Sequence, residues 1–112
     1  MELATEELDG GVIRIILNGR LDIAGAATID LRFNTIVGSR HAVVVDLARV
    51  NFLASMGIRL LLTGAKTMQS KGGKMVLLGP EPGVEKALTT AGIDTVIPIH
   101  RDIAGAAAAV RP

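Results

Sequence analysis

Residues 42–47 read Ala-Val-Val-Val-Asp-Leu, a nearly unbroken apolar run rich in β-branched side chains. A strand with one wet face alternates apolar and polar residues, whereas a strand covered on both faces reads as a continuous apolar run. A strand of the second kind needs helices packed above and below its sheet, which directs the chain towards an α/β architecture.

The flanking segments fit that demand. Val12 to Leu17 is a second β-branched run and follows Asp9-Gly10-Gly11, a hairpin-type turn signal, so Leu3 to Leu8 is its candidate partner strand. Asn18-Gly19 is the expected end of that strand. From Ile23 to Val37, apolar residues at Ala27, Leu31 and Ile36, with Ala26, Ile29 and Phe33 nearby, predict a helix with Asp22 as N-cap and Gly38 as stop. From Gly57 to Lys71, the spacing of Ile58, Leu61, Leu62, Ala65 and Met68 predicts a buried helix face, closed by Gly72-Gly73. Lys74 to Leu78 is another covered strand. Gly79-Pro80-Glu81-Pro82 leads into a helix from about Gly83 to Ala91, closed by Gly92. Thr95 to Ile99 is expected as a short edge strand, since Pro98 suits an edge. Asp102 can cap an Ala-rich helix from Ile103 to Val110. After the opening hairpin the elements alternate, which implies right-handed crossovers. The expectation is one α/β domain over residues 1–112, with a mixed, mostly parallel sheet of four to five strands and about four helices.

Composition narrows the function. Hydrophobic residues make up 49% of the chain and mean hydropathy is +0.46, which rules out disorder. Two Phe are the only aromatics, so the core is aliphatic, and base-stacking platforms for single-stranded nucleic acid are missing. Twelve basic against eleven acidic residues give a net charge of +1, too little to draw nucleic acid or an anionic membrane. No Cys is present, so no disulfide, thiolate metal site or thiol nucleophile exists. No apolar stretch approaches the roughly 20 residues of a membrane span, and Met1 to Asp9 is acidic rather than signal-like. A soluble, cytoplasmic protein without cofactor is the expectation.

No residue cluster reads as catalytic. His41 and His100 each lie beside a predicted strand with no second ligand and no triad spacing. No G-x-S-x-G elbow occurs, and the glycine pairs at residues 10–11 and 72–73 have turn spacing rather than phosphate-loop spacing. Asp46, the lone carboxylate of its run, suits either a base or, more commonly, a strand-end hydrogen bond to a loop.

The informative stretch is Val50-Asn51-Phe52-Leu53-Ala54-Ser55-Met56-Gly57-Ile58, between the central strand and the second helix. Ser55 stands where an N-cap belongs, able to accept from the N–H of Gly57 or Ile58. A helix start also tolerates a phosphate, which would add nearly two negative charges and repel a docked partner. Ser55 therefore reads either as a plain cap or as a switch. Met56 and Leu60 fall off the main core stripe; exposed, they would form an apolar contact edge beside the serine, and otherwise they pack under the neighbouring loop.

Taken in order, Gly19-Arg20-Leu21-Asp22, residues 43–47, Phe52 to Ile58, Leu61-Leu62, residues 72–77 and the Leu88, Ala91, Gly92, Ile93 set resemble the STAS domain across essentially the whole chain. The best-known free-standing members of that family are bacterial anti-sigma factor antagonists. The resemblance implies a partner: an anti-sigma factor with serine-kinase activity, which phosphorylates the serine after Asp in the family's D-S-S/T-G. A PP2C-type phosphatase reverses the modification, so transcription is regulated indirectly. That serine corresponds to Ser55, and the implied partner-binding set is Asp22, Ala54, Ser55, Met56, Gly57 and Leu60. The chain departs from the motif at two positions, reading Ala54-Ser55-Met56-Gly57 where the family has Asp and a second hydroxyl. That departure keeps an alternative in play, a STAS subunit of a transport or sensory complex, such as a lipid-transport accessory, without phosphorylation. A small enzyme or nucleotide binder lacks the residues it would need.

Overall fold

The computed structural model describes residues 1–112. β1 (Glu2–Leu8) turns back through Asp9-Gly10-Gly11 onto β2 (Val12–Leu21), antiparallel. The chain continues through α1 (Ile23–Ser39), β3 (Ala42–Leu53), α2 (Ser55–Ser70), β4 (Lys74–Leu78), α3 (Pro82–Thr90), a 3-10 turn at Ile93–Thr95, β5 (Ile99–His100) and α4 (Ile103–Val110). The sheet order follows the chain, β1-β2-β3-β4-β5, and β2 through β5 are parallel. The mostly parallel five-stranded sheet and four helices match the architecture expected from the sequence.

β3 explains its own composition. Successive strand residues point to opposite faces. Val43, Val45 and Leu47 join the larger apolar cluster under Phe33 of α1, Leu61 of α2 and Leu88 of α3. Ala42 and Val44 join a smaller cluster with Val76 and Leu78, roofed by Ala106, Ala107 and Val110 of α4. Asp46 is only 5% exposed on the α4 side of the sheet, beyond that roof. One of its oxygens accepts from Arg14 Nε at 3.0 Å and Nη2 at 2.6 Å, and the other accepts from the Ala48 N–H at 2.9 Å. The arginine also donates to Glu6 at 3.0 Å, so one charged ladder ties β1, β2 and β3 together. The bond to Asp46, more than any other contact, raises the Arg14 pKa. Asp46 thus sits within its strand and serves structure, neither at a strand end nor free to act as a base.

Several expected boundaries move. β2 does not end at Asn18-Gly19 but runs to Leu21, and β3 runs on to Leu53. The pairing slips by one residue between Ile16↔Asp46 and Asn18↔Arg49, and again between Gly19↔Val50 and Arg20↔Phe52. Each slip is a bulge that keeps the strands paired at the cost of regular alternation. Gly19, at φ 122°, takes a backbone conformation open mainly to glycine, so it bends the strand where a turn was expected. In α1 the buried face is Gly25, Ala26, Ile29, Phe33 and Val37, while Leu31 is 80% exposed and Ala27 is exposed. Gly38 lies inside the helix, not after it. The edge strand shrinks to Ile99–His100, because Thr95 ends the 3-10 turn and Ile97 is fully buried. Pro98 has no N–H to offer, but its carbonyl accepts from the Leu77 N–H at 2.9 Å.

Candidate functional site

Leu21 and Leu53 are register partners at the ends of β2 and β3. The Ala54 N–H donates to the Leu21 carbonyl at 3.0 Å, so both strands stop together. After each, one residue intervenes before a helix begins, and the N-termini of α1 and α2 lie side by side. The carboxyl ends of parallel strands are where α/β proteins commonly build their sites.

Close packing makes the two corners possible. A Cβ at Gly25 would collide with the Arg20 carbonyl oxygen. One at Gly57 would lie 2.6 Å from the Leu21 carbonyl oxygen and 2.8 Å from Leu53 Cδ1. Both glycines stand three residues after the N-cap of their helix. The sequence carries this as a shared frame, Leu21-Asp22-x-x-Gly25 and Leu53-Ala54-x-x-Gly57.

The caps themselves differ. Asp22 is the expected N-cap, and its Oδ1 accepts from the Gly25 N–H at 2.8 Å. That bond holds its carboxyl below the usual aspartate range, and Arg20, with Nε 3.4 Å from Oδ2, adds to the effect. Ser55 is not an N-cap. It is the first residue of α2, and Ala54, which has no side-chain acceptor, occupies the cap. The N–H groups of Gly57 and Ile58 both close on the Ala54 carbonyl, at 3.0 and 3.1 Å. With the capping role taken by backbone, the Ser55 side chain faces solvent.

Beside Ser55 a groove opens between α1 and α2, lined by Ile23, Ala27, Asp30, Met56, Arg59 and Leu60 among others. Ile23 is 71% and Met56 41% exposed, so Met56 does present an apolar edge beside the serine. Leu60 does not: it is 5% exposed and belongs to the core, contributing only to the groove floor. Of the residues singled out from sequence, Asp22, Ala54, Ser55, Met56 and Gly57 come together at the paired helix starts. Ile23, Arg59 and the exposed Phe52, whose ring lies 4.2 Å from the Arg20 guanidinium, join them without having been expected. The usable signal for Ile23 was its place next to the Asp22 cap, since a first-turn residue there points away from the sheet. Nowhere do three or more His, Asp or Glu side chains gather as metal ligands, and no helix is long and apolar enough to cross a membrane.

Comparison with known proteins gives concordant matches. The STAS domain family model matches residues 4–106. A candidate anti-sigma factor antagonist, BtrV, of Bordetella bronchiseptica is 30% identical over 113 residues, covering 99% of this chain and 96% of that protein. The crystal structure of an anti-sigma factor antagonist from Mycobacterium paratuberculosis aligns with a TM-score of 0.88 at 25% identity, over 99% of this chain and 94% of that one. A sulfate transporter family protein from Wolinella succinogenes shares the fold, with a TM-score of 0.77 at 16% identity over 93% of this chain and 88% of that one.

Proposed function

Because this chain belongs to the STAS domain family, we propose that it is an anti-sigma factor antagonist, a non-catalytic module that binds an anti-sigma factor through the paired starts of α1 and α2. The partner is an anti-sigma factor with serine-kinase activity, Ser55 is its phosphorylation site, and a PP2C-type phosphatase resets it. The observation that carries this is the state of Ser55, a solvent-facing hydroxyl on the first residue of a 16-residue helix, flanked by the exposed apolar Ile23 and Met56. An exposed apolar patch rimmed by polar groups suits a protein partner. A phosphate added beside it, at Ser55, sets like charge and desolvation cost against docking.

Incubation with the cognate kinase and ATP, followed by intact-mass measurement, should add one phosphate to the wild type and none to Ser55→Ala. A mass gain that persists in Ser55→Ala overturns the assignment. Ser55→Asp should weaken partner binding by about 1 kcal/mol or more in calorimetry, and unchanged affinity would count against this docking surface.

A second reading has support in Ala54 and Met56, which replace the acidic and hydroxyl residues of the family motif. In it the chain is a STAS subunit of a transport or sensory complex and Ser55 is not modified. Neighbouring genes separate the two: a kinase and phosphatase pair favours the first, a transporter cluster the second.

A further inference from the structure

The twelve cationic side chains divide by what they hold. Arg14, Arg20, Arg40 and Arg101 each pair with a carboxylate. Arg32, Lys71 and Arg111 donate to the backbone carbonyls of Leu3, Val37 and Asp9. Arg49, Arg59, Lys66, Lys74 and Lys86 have no such partner, and of these five only Arg59 lines the α1/α2 groove, where it is exposed. It stands four residues after Ser55 on the same helix. Residues at that spacing are neighbours on one helix face, with an anion at the earlier position and a cation at the later one forming the favourable order. A helical side chain leans back over the turn that precedes it, so the Arg59 stem leads towards Ser55 rather than away. The first turn of α2 contains no acidic residue that would claim the guanidinium first. The one acidic residue lining the groove is Asp30 of α1, and its carboxylate already accepts from Asn34 Nδ2 at 3.0 Å.

We propose that Arg59 is the residue that receives the phosphate of modified Ser55, folding onto it along the helix and withdrawing its own charge from the groove. The proposal rests on Ser55 being the modified residue. It adds a second consequence of modification: the docking groove gains negative charge at one end and loses its arginine to an internal pair. A planar guanidinium can hold two phosphate oxygens at once, which a lysine ammonium cannot. Arg59 is then a positioning residue for the phosphate, with no part in the fold.

The test uses full-length chain with phosphoserine built in at position 55 by semisynthesis, so it does not depend on any kinase. Phosphorus NMR follows the second ionisation of the phosphate, which begins from about pH 6. In the wild type the midpoint should lie at least about half a pH unit below that of phosphorylated Arg59→Gln, with Arg59→Lys between them. Phosphorylation should also raise the melting temperature more in the wild type than in Arg59→Gln, while the unphosphorylated forms of the two melt alike. Equal midpoints and equal melting shifts in wild type and Arg59→Gln overturn the proposal. If instead the kinase never modifies Ser55, the functional reading above fails while the Arg59 measurement retains its own answer.

Discussion

The starts of α1 and α2 are two solutions to one geometric problem. Both follow the last residue of a parallel strand, both need a glycine three positions after the cap, and both sit at the carboxyl end of the parallel strands. α1 closes its corner with a side-chain cap, Asp22, whose carboxylate bonds to Gly25. α2 closes its corner with backbone alone and leaves Ser55 turned to solvent. Capping spends a polar side chain on the helix, and a side chain so engaged is not free for a partner or a modifying enzyme. The difference separates a corner built for stability from one open to interaction.

Substitutions can break the likeness or erase the difference. The largest effect is expected at Gly25, where Ala drives a methyl into the Arg20 backbone carbonyl, an atom that cannot move without moving the strand. Overpacking of that kind should cost about 3 kcal/mol in denaturant unfolding. A smaller loss is expected for Gly57→Ala: the Leu21 and Leu53 side chains can give way, but the Leu21 carbonyl at 2.6 Å cannot. If Gly57→Ala is neutral, the second corner is looser than its geometry indicates.

Next comes Asp22→Ala, which removes the cap of α1 and should lower the melting temperature by several degrees. Its deficit depends on pH. The folded state holds the Asp22 carboxyl below its ordinary value, mainly through the Gly25 N–H, so the stabilisation is present above the unfolded pKa and is lost as pH falls through the folded one. The gap between wild type and Asp22→Ala should therefore be full at neutral pH and shrink below about pH 4. A gap that stays constant on acidification would show that the carboxylate is not what caps the helix. The smallest effect runs the other way. Ala54→Asp gives α2 the cap that α1 has and should stabilise the chain by up to about 1 kcal/mol. Loss of stability there would mean that the corner has no room for a side-chain cap.

Much of this was legible in the chain. Asp102 and the helix from Ile103 to Val110 are found as expected, because a capping side chain before a strong helix former acts over only a few residues. β4 and the first half of β3 are equally plain, since burial on both faces writes itself into composition. What failed did so for physical reasons. α1 carries apolar residues on all sides, including Ile23, Ala27 and Leu31, so periodicity alone does not select the face that Phe33 and Val37 bury. The second half of β3 is bulged and half-exposed, so no pattern of period two marks it as strand.

The paired corners divide the same way. The residues that sequence determined are those whose constraint is local: the Asp22 cap, and the Gly72-Gly73 and Gly92 breaks that close α2 and α3. Tertiary structure alone decided that two bulges carry β3 as far as Leu53, that Ala54 rather than Ser55 therefore takes the cap, and that Leu60 turns inward while Arg59 and Ile23 face the groove beside the serine. A one-residue shift in where a strand ends rotates the following helix by about 100° of its turn, and only the pairing of β3 with β2 sets that end.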